Sequence, residues 1–209
     1  MTMKKITSIF IMISVLLSSC AVTKGLENDK VKKAMDLQES VVNDPLFAKI
    51  LRELEASGDI KWPKGGMKYV KEDLSNFSNK TEWLIEKYNK DGVYDNESVF
   101  LWRKWNPFSK TVAVTTACVN KTKLNKWKLG KKRTVHSILN TLVHERVHSY
   151  CYIHPESQKK EDNECDPSYI TGYLAEAILL YRNGGEKMTK DVCPALKNKI
   201  EEYNLNVRN

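Results

Sequence analysis

His144-Glu145-Arg146-Val147-His148 spells H-E-x-x-H, the shortest sequence that can build a hydrolytic zinc site on one helix. Residues four apart lie on the same helical face, so both imidazoles can reach one ion. Glu145 follows the first histidine and reaches a metal-activated water rather than the metal, which is the place of a general base. Three of the four histidines (His144, His148 and His154) fall within eleven residues, a clustering that packing does not require. The bland alternative is an amphipathic helix with two histidines on its polar face. Either way the segment is predicted helical. Ile138, Leu139, Leu142, Val143, Val147 and Tyr150 recur at spacings of one, three and four. Thr134 suits an N-cap, and no Pro or Gly interrupts before Pro155.

The longer run His144-Glu145-x-x-His148-x-x-Cys151-x-x-His154 resembles the ligand spacing of the metzincin metallopeptidases, H-E-x-x-H-x-x-G-x-x-H. It departs at Cys151, where that family has glycine to let the chain turn sharply. A turn of different shape, held by a disulfide, is the expected substitute. Met188 is the only candidate for the family's methionine turn. Downstream, Asp166-x-x-Tyr169 resembles the aspzincin element, in which an Asp completes the zinc site and a Tyr polarises the substrate. Glu176 resembles the ligand that gluzincins supply from a following helix. Three zincin branches thus each offer a third ligand: His154 first, then Asp166, then Glu176. The resemblance implies a zinc metallopeptidase. Zn²⁺ on His144, His148 and His154 would activate a water for Glu145 to deprotonate as it attacks a peptide carbonyl. Tyr169, or alternatively Tyr173, would donate to the developing oxyanion. Two other readings stand beside it: a non-catalytic zincin-fold lipoprotein that binds a peptide or envelope partner, and a cell-wall peptide amidase.

Such a helix needs elements to position it. Val99–Trp105 and the β-branched Thr111–Val119 are predicted strands, separated by a turn at Asn106-Pro107. The implied fold is α+β: a zincin-like single domain with a small mixed sheet, an H-E-x-x-H active-site helix and additional N-terminal helices. In that arrangement an edge strand borders the cleft and pairs with an extended peptide. The N-terminal part predicts two amphipathic helices split at Asp44-Pro45, and Thr81–Tyr88 and Pro194–Tyr203 predict two more. The expected organisation is a signal segment over 1–19, a helical segment over 20–66 packed on the core, and the zincin-like core over 67–209.

The N-terminus carries its own signal. Lys4 and Lys5 precede an apolar run, Ile6 to Leu17, and Leu17-Ser18-Ser19-Cys20 follows. The run is too short for a membrane span and reads as a signal peptide. Its end resembles the bacterial lipobox, which implies lipid attachment at Cys20 and a mature chain anchored at the cell envelope, with the outer membrane as the sorting expected from Ala21 and Val22. Four further cysteines remain, Cys118, Cys151, Cys165 and Cys193. In an oxidising compartment they predict two disulfides, with three pairings open. A hydrophobic content of 41% and a charged content of 29% fit a soluble globular chain. The formal charge is +8. Its excess is concentrated in Lys121, Lys123, Lys126, Lys128, Lys131, Lys132 and Arg133, read as a solvated connection or as a contact for anionic headgroups. Export argues against nucleic acid as a partner. The expected partners are a peptide or protein substrate and, through the lipid, the membrane; the sequence leaves the oligomeric state open.

Overall fold

The computed structural model describes residues 22–90, 99–102, 108–130, 133–155, 165–184 and 192–205. Six helices are described: α1 (Asp29–Val42), α2 (Pro45–Ala56), α3 (Lys80–Lys90), α4 (Val135–Ser149), α5 (Pro167–Asn183) and α6 (Pro194–Glu202). Four short strands accompany them: β1 (Thr23–Lys24), β2 (Val99–Trp102), β3 (Ala113–Thr115) and β4 (Thr122–Asn125). The described residues make one mixed α+β domain. The signal segment, Cys20 and Met188 lie outside them. None of the described helices is long and apolar enough to cross a membrane.

Helix α4 sits at the centre. Its N-cap Thr134 accepts from the Ser137 backbone N–H at 3.2 Å, which satisfies one of the orphan donors of the first turn. Ile138, Leu139, Leu142, Val143 and Val147 are buried along it, each contributing about 1.5–3 kcal/mol by leaving water. Helix α1 packs on one flank and α5 on another. Tyr88 of α3 donates its hydroxyl to the Val143 carbonyl at 2.9 Å. Helices α1 and α2 part at Asp44-Pro45: Asp44 caps α2 through the Leu46 N–H, and Pro45 takes the first position, where its missing N–H costs nothing.

The sheet order is β1-β2-β4-β3. Strand β2 runs antiparallel to β1 and parallel to β4, and β3 runs antiparallel to β4. Strand β4 corrects the sequence reading, which took this lysine-rich stretch as a solvated connection. Thr122, Leu124 and Asn125 turn inward while Lys123 points out. The alternation across Thr122, Lys123 and Leu124 is a strand signature, but it covers only three residues, the surrounding lysines mask it, and one of its two partners, Val99–Trp102, is distant in sequence. The predicted strand at 111–119 is shorter in the structure, and the end of the predicted strand at 99–105 falls on residues 103–105, outside the described set.

Candidate metal centre

Position in α4 brings His144 and His148 to one face. His154 returns from the following loop, and the candidate ligand atoms of the three all lie within 4.8 Å of one another. The His144 and His154 Nε2 atoms are 3.5 Å apart. Zn–N bonds of about 2 Å put tetrahedral ligand nitrogens roughly 3.3 Å apart, so the set closes on an ion with small adjustments.

The other nitrogen of each ring is held. His148 Nδ1 lies 2.9 Å from the Tyr152 carbonyl; a carbonyl only accepts, so Nδ1 carries the proton and Nε2 is left with its lone pair. His154 Nδ1 lies 3.3 Å from Asp166 Oδ2. The Ser168 backbone hydrogen-bonds to the His144 ring. Outer partners of this kind fix tautomer and ring orientation in metal sites. Burial holds His144 well below its ordinary pKa, helped by the neighbouring His148 and His154. Burial lowers His148 as well. Neutral imidazoles are the form that binds metal.

Asp166 is fully buried and divides its carboxylate between two tasks. Oδ1 caps α5, accepting from the Ser168 N–H at 2.9 Å and its hydroxyl at 2.6 Å. Oδ2 accepts from His154 and from the Tyr152 hydroxyl. Burial pushes its pKa up, but His154, Ser168 and Tyr152 together outweigh that and hold it below the usual carboxylate value. Asp166 therefore stands behind His154. Glu176 lies ten residues further along α5, where its Oε2 accepts from Asn140 Nδ2 at 2.6 Å. Among the described residues the metal-sized group contains the three histidines and neither of these acids.

Glu145 is buried beside the histidines. Burial raises its pKa, and hydrogen bonding from Thr115 of β3 opposes the rise. Its Oε2 is buried with no partner. A buried carboxylate oxygen without a donor is expensive unless a water or substrate completes it, and Glu145 lines the cleft. Together with three converging Nε2 atoms, it makes a donor set that fits a divalent ion and a water. The Tyr169 ring packs edge-on to His144 at 4.4 Å between centroids, and burial raises its pKa, which keeps its hydroxyl protonated. Tyr173 stacks on Tyr169 at 6.4 Å.

These side chains line a cleft of about 490 Å³. Its opposite wall is residues 110–115. Strand β3 is the last strand of the sheet, so one of its edges is unpaired and faces the cleft.

Two close contacts fix the walls. A Cβ on Gly172 would meet Asn140 Oδ1 at 2.7 Å and the Asn140 carbonyl at 2.8 Å, so glycine lets α5 approach α4 beside His144. A Cβ on Gly66 would meet the Tyr152 ring at 2.7 Å, and the Gly66 carbonyl accepts from Ile153 N–H at 2.9 Å. The third-histidine loop is thus clamped from outside. Cys151 adopts φ +75°, the left-handed conformation that a glycine would take there. Its side chain is disulfide-bonded to Cys118, and Cys165 pairs with Cys193. The crosslink replaces glycine's freedom with a tether.

Sequence reasoning missed Tyr152, Thr115, Ser168 and Asn140. Tyr152 alone had a local signal, lying between Cys151 and His154 in the ligand run. Arg133 was read with the basic connection; the structure instead folds its guanidinium back along α4 to the Thr141 hydroxyl, where it borders the cleft. Lys131 and Lys132 are outside the described residues. No protein-family model, curated protein or solved structure matches this chain.

Proposed function

We propose that the chain is a zinc-dependent peptide hydrolase of zincin type, attached to the cell envelope through a lipid on Cys20. The observation that carries the reading is the pairing of three tethered imidazoles with the unpartnered Glu145 Oε2 in one cleft. His144, His148 and His154 would hold the ion through Nε2. A zinc ion there supplies Lewis acidity, polarising a carbonyl oxygen and making a water more acidic.

The chain's own residues perform the rest. The outer edge of β3 would offer the backbone at Ala113 to an extended peptide, while the Thr115 backbone is engaged by Glu145. Glu145 Oε2 accepts a proton from the attacking water as its oxygen bonds to the carbonyl carbon. Glu145 then passes that proton to the leaving nitrogen as the C–N bond breaks. Its raised pKa suits a group that must both take and give a proton near neutral pH. The Tyr169 hydroxyl donates to the carbonyl oxygen as negative charge grows on it.

The test is metal content and peptide cleavage of the mature chain. Wild type is expected to hold one zinc per chain and to cleave a denatured protein substrate. Glu145→Gln is expected to keep the metal and lose roughly two to four orders of magnitude in kcat. Undiminished cleavage by Glu145→Gln, or a wild type that takes up no zinc on reconstitution, overturns the reading.

A further inference from the structure

The cleft has a second chemical end. Arg133 precedes α4, and its guanidinium lies along the helix and donates to Thr141 Oγ1. That neutral hydroxyl is its one side-chain hydrogen-bond partner among the described residues, and its Nε is buried without any. Glu176 attracts the guanidinium, with one of its two oxygens, Oε2, accepting from Asn140. Lys110 lines the facing wall. A half-buried guanidinium with spare donors is an incomplete arrangement, because the rigid fork matches a carboxylate.

Position along the cleft follows from two anchors. Thr115 of β3 hydrogen-bonds to Glu145, and the Cys118 N–H donates to the His148 carbonyl at 3.1 Å. Later residues of the β3 segment therefore meet later residues of α4, so the two run side by side in the same direction. Antiparallel pairing is the more stable ladder, and a peptide added to β3 in that sense runs the opposite way, from the His148 end toward the Thr141 and Arg133 end. Thr141 precedes Glu145 by four residues, about 6 Å along the helix. An extended peptide rises about 3.4 Å per residue.

We propose that Arg133, with Lys110 across the cleft, forms a subsite for a substrate carboxylate one or two residues beyond the scissile bond on its leaving-group side. The carboxylate can be an acidic side chain at that position or the C-terminus of a short peptide. The inference rests on the hydrolase reading for the direction in which substrate lies.

Two readouts separate the inference from that reading. The first is kcat/KM of the zinc-loaded mature chain on matched fluorogenic peptides: Glu against Gln at the second residue after the cleaved bond, and a free C-terminus against its amide. The second is fluorescence anisotropy of the same peptides bound to zinc-loaded Glu145→Gln protein, which needs no turnover. Acid forms are expected to be favoured roughly ten- to a hundredfold in both. Whichever pair carries the preference identifies the source of the carboxylate. Arg133→Met is expected to bring the acid-to-neutral ratio near one. Arg133→Lys, which keeps charge and most of the stem, is expected to retain part of it. Selective, Arg133-dependent binding without cleavage by wild type leaves the subsite standing and removes the hydrolase reading. Cleavage with no preference for the acid forms removes the subsite and leaves the hydrolase. A preference that survives Arg133→Met, or no peptide binding at all, overturns the inference.

Discussion

Asp166 shows how much a single side chain can do from behind a site. One oxygen caps α5 and the other holds the His154 ring and the Tyr152 hydroxyl, so helix start and ligand orientation are one event. Asp166→Asn keeps the volume and one carbonyl oxygen, but its amide nitrogen would face donors. Zinc affinity is expected to fall about 10–100-fold, measured by chelator competition. His154→Ala is expected to lose more than that, since it removes one of the three candidate ligands; equal affinity in both variants and wild type would remove the assignment. The metal-free protein should also respond to pH. His144 and His148 have folded-state pKa values below 6.5 because burial disfavours their charged forms. Below 6.5 the unfolded chain therefore binds protons that the folded one refuses. Stability from these groups is full above 6.5 and is lost as pH falls beneath it. The melting temperature of the metal-free chain is expected to drop between pH 7 and pH ~5, before ordinary carboxylates titrate; a flat profile would count against neutral buried imidazoles. At this scale the sequence named the three histidines and Glu145 from spacing alone, because helical geometry converts spacing into a shared face. It offered Asp166 as the alternative third ligand after His154, because linear order carries no information on what stands in front of or behind a ring.

The elements were legible in proportion to how local their causes are. Helix α4 follows from its apolar spacing and its Thr134 cap, and the break between α1 and α2 from Asp44-Pro45. Strand β4 was not legible: its pairing with β2 joins residues more than twenty positions apart in a parallel ladder, and its local antiparallel pairing with β3 is hidden by the lysines that surround four short strand residues. Gly172 is the same kind of long-range fact. It sits inside α5, where glycine weakens a helix by about 1 kcal/mol relative to alanine. That intrinsic gain makes Gly172→Ala an informative substitution. Its new methyl would lie 2.7 Å from Asn140 Oδ1 and 3.2 Å from His144 Cβ. The Asn140 carbonyl, at 2.8 Å, belongs to helical backbone and yields little. Overpacking is expected to outweigh propensity and leave the variant about 1–3 kcal/mol less stable, with weaker zinc binding because α5 also carries Ser168 and Tyr169. Chemical denaturation and chelator competition measure the two effects; a variant more stable than wild type would mean that α5 does not press on α4 as described.

The whole molecule is stapled around its site. Cys118–Cys151 joins the segment after β3 to the turn after α4, and Cys165–Cys193 joins the start of α5 to the start of α6. Two such bonds fit folding in an oxidising compartment outside the cytoplasm. Even number and export made two disulfides foreseeable, while their pairing depended on tertiary contacts that four positions in a sequence cannot specify. The Cys118–Cys151 bridge closes a separation of 33 residues, and removing it by Cys118→Ser with Cys151→Ser is expected to cost about 2–4 kcal/mol. The left-handed φ at Cys151 allows a sharper test. In the bridged protein the tether holds a conformation that costs a non-glycine residue about 1–2 kcal/mol. Once the tether is gone, serine at 151 still bears that cost and glycine does not, although glycine gives back some of the gain through the entropy of the unfolded chain. Cys118→Ser with Cys151→Gly is therefore expected to be about 1 kcal/mol more stable than Cys118→Ser with Cys151→Ser, and to hold zinc more tightly, because the turn that returns His154 to the ion regains its shape. Denaturation midpoints and zinc affinities of the two double variants decide it. Equal values would mean that the turn relaxes to ordinary backbone when the bridge is removed, and that Gly66 and Asp166 alone position the third histidine.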